Sequence, residues 1–268
     1  MPSFRTSLIF LLLGSAVSPL TAVTISLFNT SHAEDFDTLA SITSSAVPTD
    51  WQFSEAGSSA NTTYGAGTGS SNVGNTYSFG ATGGTDRAFG AVRTTGVATT
   101  IGTVITNGTG STITELTIQF TGEQWRLGAL GRVDRLDFGL STDATSIVTG
   151  TWSDVDALDF VGPVTAGIAG ALDGNAGENQ QLVSHTITGL SLLSGTSLWL
   201  RWVDFEASGS DDGLALDNFS ILAPQTVTGG GGGGDPQDVP DTLPTGVTMA
   251  VMMGLIVLGS RERRRHAA

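Results

Sequence analysis

Carboxylates and two Trp–Arg pairs are the side chains of this chain with chemistry to offer. The segment Asp211-Asp-Gly-Leu-Ala-Leu-Asp217-Asn-Phe219 puts Asp211, Asp212 and Asp217 on a turn and the strand that follows it. A second acidic group, Glu34-Asp35-Phe-Asp37, lies near the other end. Ca²⁺ takes about six to eight oxygens from carboxylates and carbonyls. Asp35, Asp37, Asp211, Asp212 and Asp217 are therefore candidate ligands, provided the fold brings them together. The spacing is not that of a dedicated Ca²⁺ loop, and a solvated Asp-Asp turn is the alternative. Trp125-Arg126 and Arg201-Trp202 form the second constellation, with Glu123 and Gln124 beside one pair and Asp204 and Glu206 beside the other. Sugar rings stack on indoles, and guanidinium groups hydrogen-bond to hydroxyls, so Trp125, Arg126, Arg201 and Trp202 are candidate carbohydrate contacts. The competing reading is a core Trp with a buried Arg–carboxylate pair locking two sheets.

Catalysis finds little support. The histidines are His32, His185 and His266, and the neighbours Ser184 and His185 would point to opposite faces of a strand. The absence of cysteine removes thiol nucleophiles and thiolate metal sites, and it leaves an exported chain without disulfides. No Glu-x-Asp-x-x-Glu strand of the glucanase kind is present. The expectation is a protein that is not an enzyme. A glycosidase with paired carboxylates is the remaining catalytic alternative.

These residues need elements to hold them. Between Val23 and Thr245 there are 24 acidic residues against six arginines, a formal charge of −18. Such a surface repels nucleic acid and anionic lipid. Short alternating or β-branched runs separated by Gly, Asn, Asp and Ser predict an all-β sandwich. Strands are expected at Asp35–Leu39, Tyr77–Gly80, Arg87–Thr94, Gly102–Thr106, Thr112–Phe120, Arg132–Gly139, Leu182–Thr188, Ser197–Phe205 and Leu214–Leu222. In Thr112–Phe120, Leu116, Ile118 and Phe120 share a face. Ser197–Phe205 is apolar on both faces, which predicts a central strand covered twice or one lining a ligand groove. Ser58–Asn75 reads as a long loop, and Ile168–Leu172 as a helical turn at most.

The two ends carry addresses. Residues 1–22 have the charge, apolar run and small residues of a secretory signal peptide. Residues 23–223 form the sandwich domain, and 224–238 a linker around the tract Gly229–Gly234. In residues 239–268, Val239-Pro240-Asp241 precedes an uncharged apolar segment and then Arg261, Arg263, Arg264 and Arg265. From Leu243 to Ser260 the apolar segment just reaches the lower limit of about 17 residues for a span. The arginines would keep its end cytoplasmic.

Motif, apolar helix and Arg cluster resemble the PEP-CTERM bacterial sorting signal in a VPD variant, although its usual motif is Val-Pro-Glu-Pro. That resemblance implies processing by an exosortase-like membrane protease, membrane anchoring through the C-terminal helix, and a final place at the cell surface or in the extracellular matrix beside exopolysaccharide. The middle, with Asp35-Phe-Asp-Thr-Leu-Ala40, Asp86-Arg-Ala-Phe-Gly90, Gly122-Glu-Gln-Trp-Arg126, Asp173-Gly-Asn175, Leu198-Trp-Leu-Arg-Trp202 and Asp211–Phe219, resembles secreted bacterial proteins with a jelly-roll, lectin-like antiparallel β-sandwich. In a jelly-roll the last strand pairs with the first, which would bring the two acidic groups together around calcium. The function expected is a non-catalytic surface protein. The alternative is a calcium-stabilised carbohydrate-binding module.

Overall fold

The computed structural model describes residues 22–225, and the predicted signal peptide, Gly tract, sorting motif and Arg cluster lie outside them. The described chain forms two β-sheets packed face to face. Strands are numbered in chain order. The seven-stranded sheet runs β1 (Val23–Ile25), β7 (Ala98–Asn107), β14 (Ser197–Asp204), β9 (Arg135–Ser141) and β10 (Ser153–Asp154). β3 (Trp51–Ala56) also pairs with β7, and β11 (Phe160–Val161) with β9. The eight-stranded sheet runs β12 (Gly170–Ala171), β8 (Leu116–Leu127), β15 (Gly213–Leu222), β6 (Ala88–Val92), β5 (Asn75–Phe79) and β4 (Gly65–Gly67). β13 (Gln180–Ile187) adds to β8, and β2 (Ser31–Glu34) to β15. Pairing is antiparallel except for β1 with β7 and β4 with β5.

Alternation explains which side chains meet. On β8, Leu116, Ile118 and Phe120 point inward and are buried. Leu214 and Leu216 of β15 join them, and Leu198, Leu200 and Trp202 of β14 face them from the other sheet. Gly122 interrupts the inward row of β8 because the Phe160 ring fills the space its Cβ would take. β14 is apolar on both faces for a local reason. It is a central strand, and its outward Trp199 is covered by Ala144 and Ile147 of the segment that follows β9.

Four sequence expectations change. Asp35–Leu39 is a turn, and the strand lies just before it, at β2. The carboxylates of Glu34 and Asp35 cap the turn, taking Phe36 N–H at 2.8 Å and Asp37 N–H at 3.2 Å, while the Asp37 carboxylate accepts the Arg87 N–H at 3.0 Å. Ile168–Leu172 is no helical turn but carries β12, which pairs with Leu127 and Arg126. The 58–75 loop contains β4. Trp51–Ala56 is a strand that its mixed polarity concealed.

Candidate functional site

Trp202 and Trp125 are not surface groups. Trp202 is 1% exposed and sits at the centre of the sandwich. It lies 5.9 Å from the Trp51 ring, with Phe120, Phe138 and Phe219 edge-on at 5.4, 5.0 and 5.9 Å. Trp125 is 2% exposed and belongs to a second cluster, on the outer face of the eight-stranded sheet. There it stacks on Phe79 at 5.9 Å and donates Nε1–H to Glu123 Oε2 at 2.8 Å. Gly174 of the Asp173-Gly-Asn175 turn lies against its indole, so the ring is roofed. The expectation that these two indoles meet a sugar is therefore corrected: alternation and cross-sheet packing spend both rings inside the protein. Arg126 points instead to the carbonyls of Gly69 and Ser70.

Arg201 is the predicted residue that stays near a usable surface. It faces outward from β14, and its guanidinium lies 4.0 Å from the ring centroid of Trp152. Nη1 also donates to the Ile147 carbonyl at 3.2 Å. Partial burial pushes its pKa down. Trp152 is half-buried, donates Nε1–H to the Thr149 carbonyl at 2.7 Å, and lies over Gly139 of β9. Gly102 of β7 and Gly139 flank Arg201 across the sheet, so no side chain from either neighbour fills that row.

Next to this pair the sheet edge opens into a groove of about 380 Å³ lined by Arg135, Asp137, Asp154, Asp156 and Asp159. Its origin is an interrupted edge. β10 and β11 both pair with β9, and the chain between them bows away through a short 3₁₀ turn, Asp156–Leu158. Where the ladder is broken, Asp159 Oδ1 takes the Phe138 N–H at 2.7 Å. Arg135 contacts the Asp137 carboxylate through Nε and lays its Cζ 3.9 Å from the Phe205 ring centroid. Burial raises the Asp159 pKa; the Phe138 N–H opposes that shift, and Asp137 and Asp156 reinforce it. The groove thus offers carboxylates that can accept from hydroxyls and the Arg135 guanidinium, with the Trp152 indole adjoining Asp154 at Gly139. Trp152, Asp154, Asp156 and Asp159 were missed because Trp152-Ser-Asp-Val-Asp156 has no alternation that predicts a strand. Only the pairing with β9 gathers these residues.

The five candidate calcium ligands separate into two groups. β15 does pair with β2, Phe219 opposite Glu34, and Asp217 there feels the charges of Asp86, Asp37 and Asp35. Asp211 and Asp212 stand at the other end of β15, about five residues and roughly 16 Å away along an extended strand. They cannot share an ion with Asp217, so the single five-carboxylate cluster is corrected. Both have structural work. Asp212 accepts from Gly128 N–H at 2.7 Å and Gln124 Nε2 at 2.8 Å, and Asp211 accepts from Ala207 N–H at 3.1 Å. Among the described residues no group of three or more His, Cys, Asp or Glu stands in position to hold a metal ion.

No protein-family model matches this chain, and no curated protein matches it. Solved structures share low similarity with it, three of them as follows. The enzymatically active domain of tailspike protein 4 of bacteriophage CBA120 is 10% identical, with TM-score 0.35 over 65% of this chain and 19% of that one. The CBM22-1 xylan-binding domain of Paenibacillus barcinonensis Xyn10C is 12% identical, with TM-score 0.35 over 76% of this chain and 100% of that one. TmCBM61 in complex with β-1,4-galactotriose is 10% identical, with TM-score 0.32 over 65% of this chain and 88% of that one. Likenesses of this order leave the functional reading to the groove itself.

Proposed function

We propose that this chain is an exported, non-catalytic jelly-roll β-sandwich that binds extracellular polysaccharide, sorted to the cell surface through its C-terminal signal by an exosortase-like protease. The observation that supports it is the groove beside Trp152 and Arg201. A pyranose would lie against the accessible part of the Trp152 ring, with hydroxyls donating to Asp154 and Asp156. Four carboxylates against Arg135 make the groove acidic. Neutral or amine-bearing polymers suit it better than uronates. The test is binding of the protein to neutral, amino-sugar and uronate polysaccharides. Trp152→Ala should weaken binding by about tenfold or more, the equivalent of about 1.4 kcal/mol, with the melting temperature nearly unchanged. Unaltered binding by this variant would remove the site.

One observation favours a second reading, glycoside hydrolysis. Asp159 and Asp137 flank Arg135 in one groove, and burial raises the Asp159 pKa, as a general acid requires. Reducing-sugar release by the wild type that disappears in Asp159→Asn would establish it. Binding without release leaves the non-catalytic reading.

A further inference from the structure

A buried acid outside the groove has no partner at all. Asp204, the last residue of β14, faces inward between the sheets and is 2% exposed, and neither carboxylate oxygen accepts a hydrogen bond. The charged groups around it come from every neighbouring segment. Asp134 and Arg132 precede β9, and Asp211 and Asp212 lead into β15. Arg93 follows β6, and Glu206 lies two residues beyond Asp204 itself. The other carboxylates are committed. Asp134 takes the Arg135 and Asp212 N–H groups at 2.9 and 2.8 Å and pairs with Arg132 at 3.0 Å, and Asp211 and Asp212 take backbone N–H groups. Arg132 is already shared among Asp134, Asp211 and Asp212, and Arg93 uses Nε on Glu206 and Nη1 on the Asp204 carbonyl. Neither arginine turns a donor to the Asp204 side chain, whose two oxygens stay without a hydrogen bond. An ionised carboxylate buried without donors is among the costliest arrangements in a protein, and its usual escape is to take a proton.

We propose that Asp204 is a neutral carboxylic acid in the folded protein and that its ionisation unlatches the segment Phe205–Asp212 from this end of the sandwich. Burial, with like charge from Asp134 and Asp211, holds its acid form well above the usual carboxylate range. The segment it would release already frames a hollow of about 200 Å³ lined by Arg93, Glu206, Ser210 and Asp211. Ionisation would open that hollow toward the inter-sheet space. The latch is closed at low pH and opens as pH rises through the folded-state value, the reverse of ordinary acid unfolding.

Amide hydrogen exchange of the full chain at pH 6 and pH 9, corrected for intrinsic rates, tests this. In the wild type, protection within Phe205–Asp212 should fall by about tenfold or more, an energy of about one pKa unit. Asp204→Asn, which carries no charge at either pH, should lose clearly less, only the part of the fall that Glu123, Asp217, Asp211 and Asp212 cause. Arg93→Gln removes the cation that favours ionisation and also two hydrogen bonds to the segment, so protection should be lower at every pH while its pH-dependent fall moves to higher pH; that displacement carries the test alone if the Asn variant does not fold. Equal loss of protection in wild type and Asp204→Asn, or no displacement in Arg93→Gln, would overturn the latch. Restoration of wild-type protection at pH 9 by added calcium would also overturn it, because a cation and not a proton would then satisfy Asp204.

Discussion

Trp202→Ala is expected to cost about 3–5 kcal/mol, a large part of the stability of an ordinary domain. The ring touches aromatic partners from both sheets, Trp51 and Phe138 from its own and Phe120 and Phe219 from the other. Its Nε1–H has no acceptor, so the loss is one of packing alone. Trp202→Phe keeps a ring at the site and should cost much less. Urea midpoints of the two variants check the ordering. Any loss of polysaccharide binding in Trp202→Ala should match its unfolded fraction, whereas Trp152→Ala should lose binding while folded. If Trp202→Ala were as stable as the wild type, the centre of the sandwich would have to lie elsewhere.

That contrast shows what the sequence discloses and what it hides. Alternation in Leu116, Ile118 and Phe120 announces a strand and its inner face, because a two-residue period admits one solution. β14 is harder. Leu198, Leu200 and Trp202 on one side and Trp199, Val203 and Phe205 on the other are both rows of large apolar residues, and Arg201 is the one local sign that the second row faces outward. The side is fixed by register with Phe138 and Ile101, a non-local fact. Choosing the Trp of the wrong face is the error that follows.

The carboxylates repeat the lesson with a different cause. Pairing of the last long strand with β2 was legible, since a jelly-roll resemblance implies it, and it places Asp217 near Asp35 and Asp37. Strand length then keeps Asp211 and Asp212 at the far end, where Arg132 and backbone N–H groups occupy them. Acidic composition pointed to charge without saying whether it would meet solvent, a cation or other carboxylates. Three of the five candidates, Asp211, Asp212 and Asp217, are buried, and so are Glu123, Asp134 and Asp204.

That burial sets the second large effect: the domain should lose stability as pH rises from about 5 to about 8.5, by on the order of a few kcal/mol. Burial pushes the Glu123 carboxyl up to about 8, with Asp217, Asp86 and Asp173 adding to the shift and the Trp125 N–H opposing it. Desolvation likewise carries Asp217 to about 7 and Asp211 and Asp212 to about 6. An unfolded chain releases these protons near the ordinary carboxylate values, about 4. Between there and the raised values the folded state binds more protons, so stability falls with pH through that window. The part due to these four groups is complete by about pH 8.5 and absent below about 4. Urea unfolding at half-unit pH intervals measures the slope, and Glu123→Gln should flatten its upper part. A midpoint that climbs between pH 5 and pH 8 would mean that these carboxylates are ionised in the folded state.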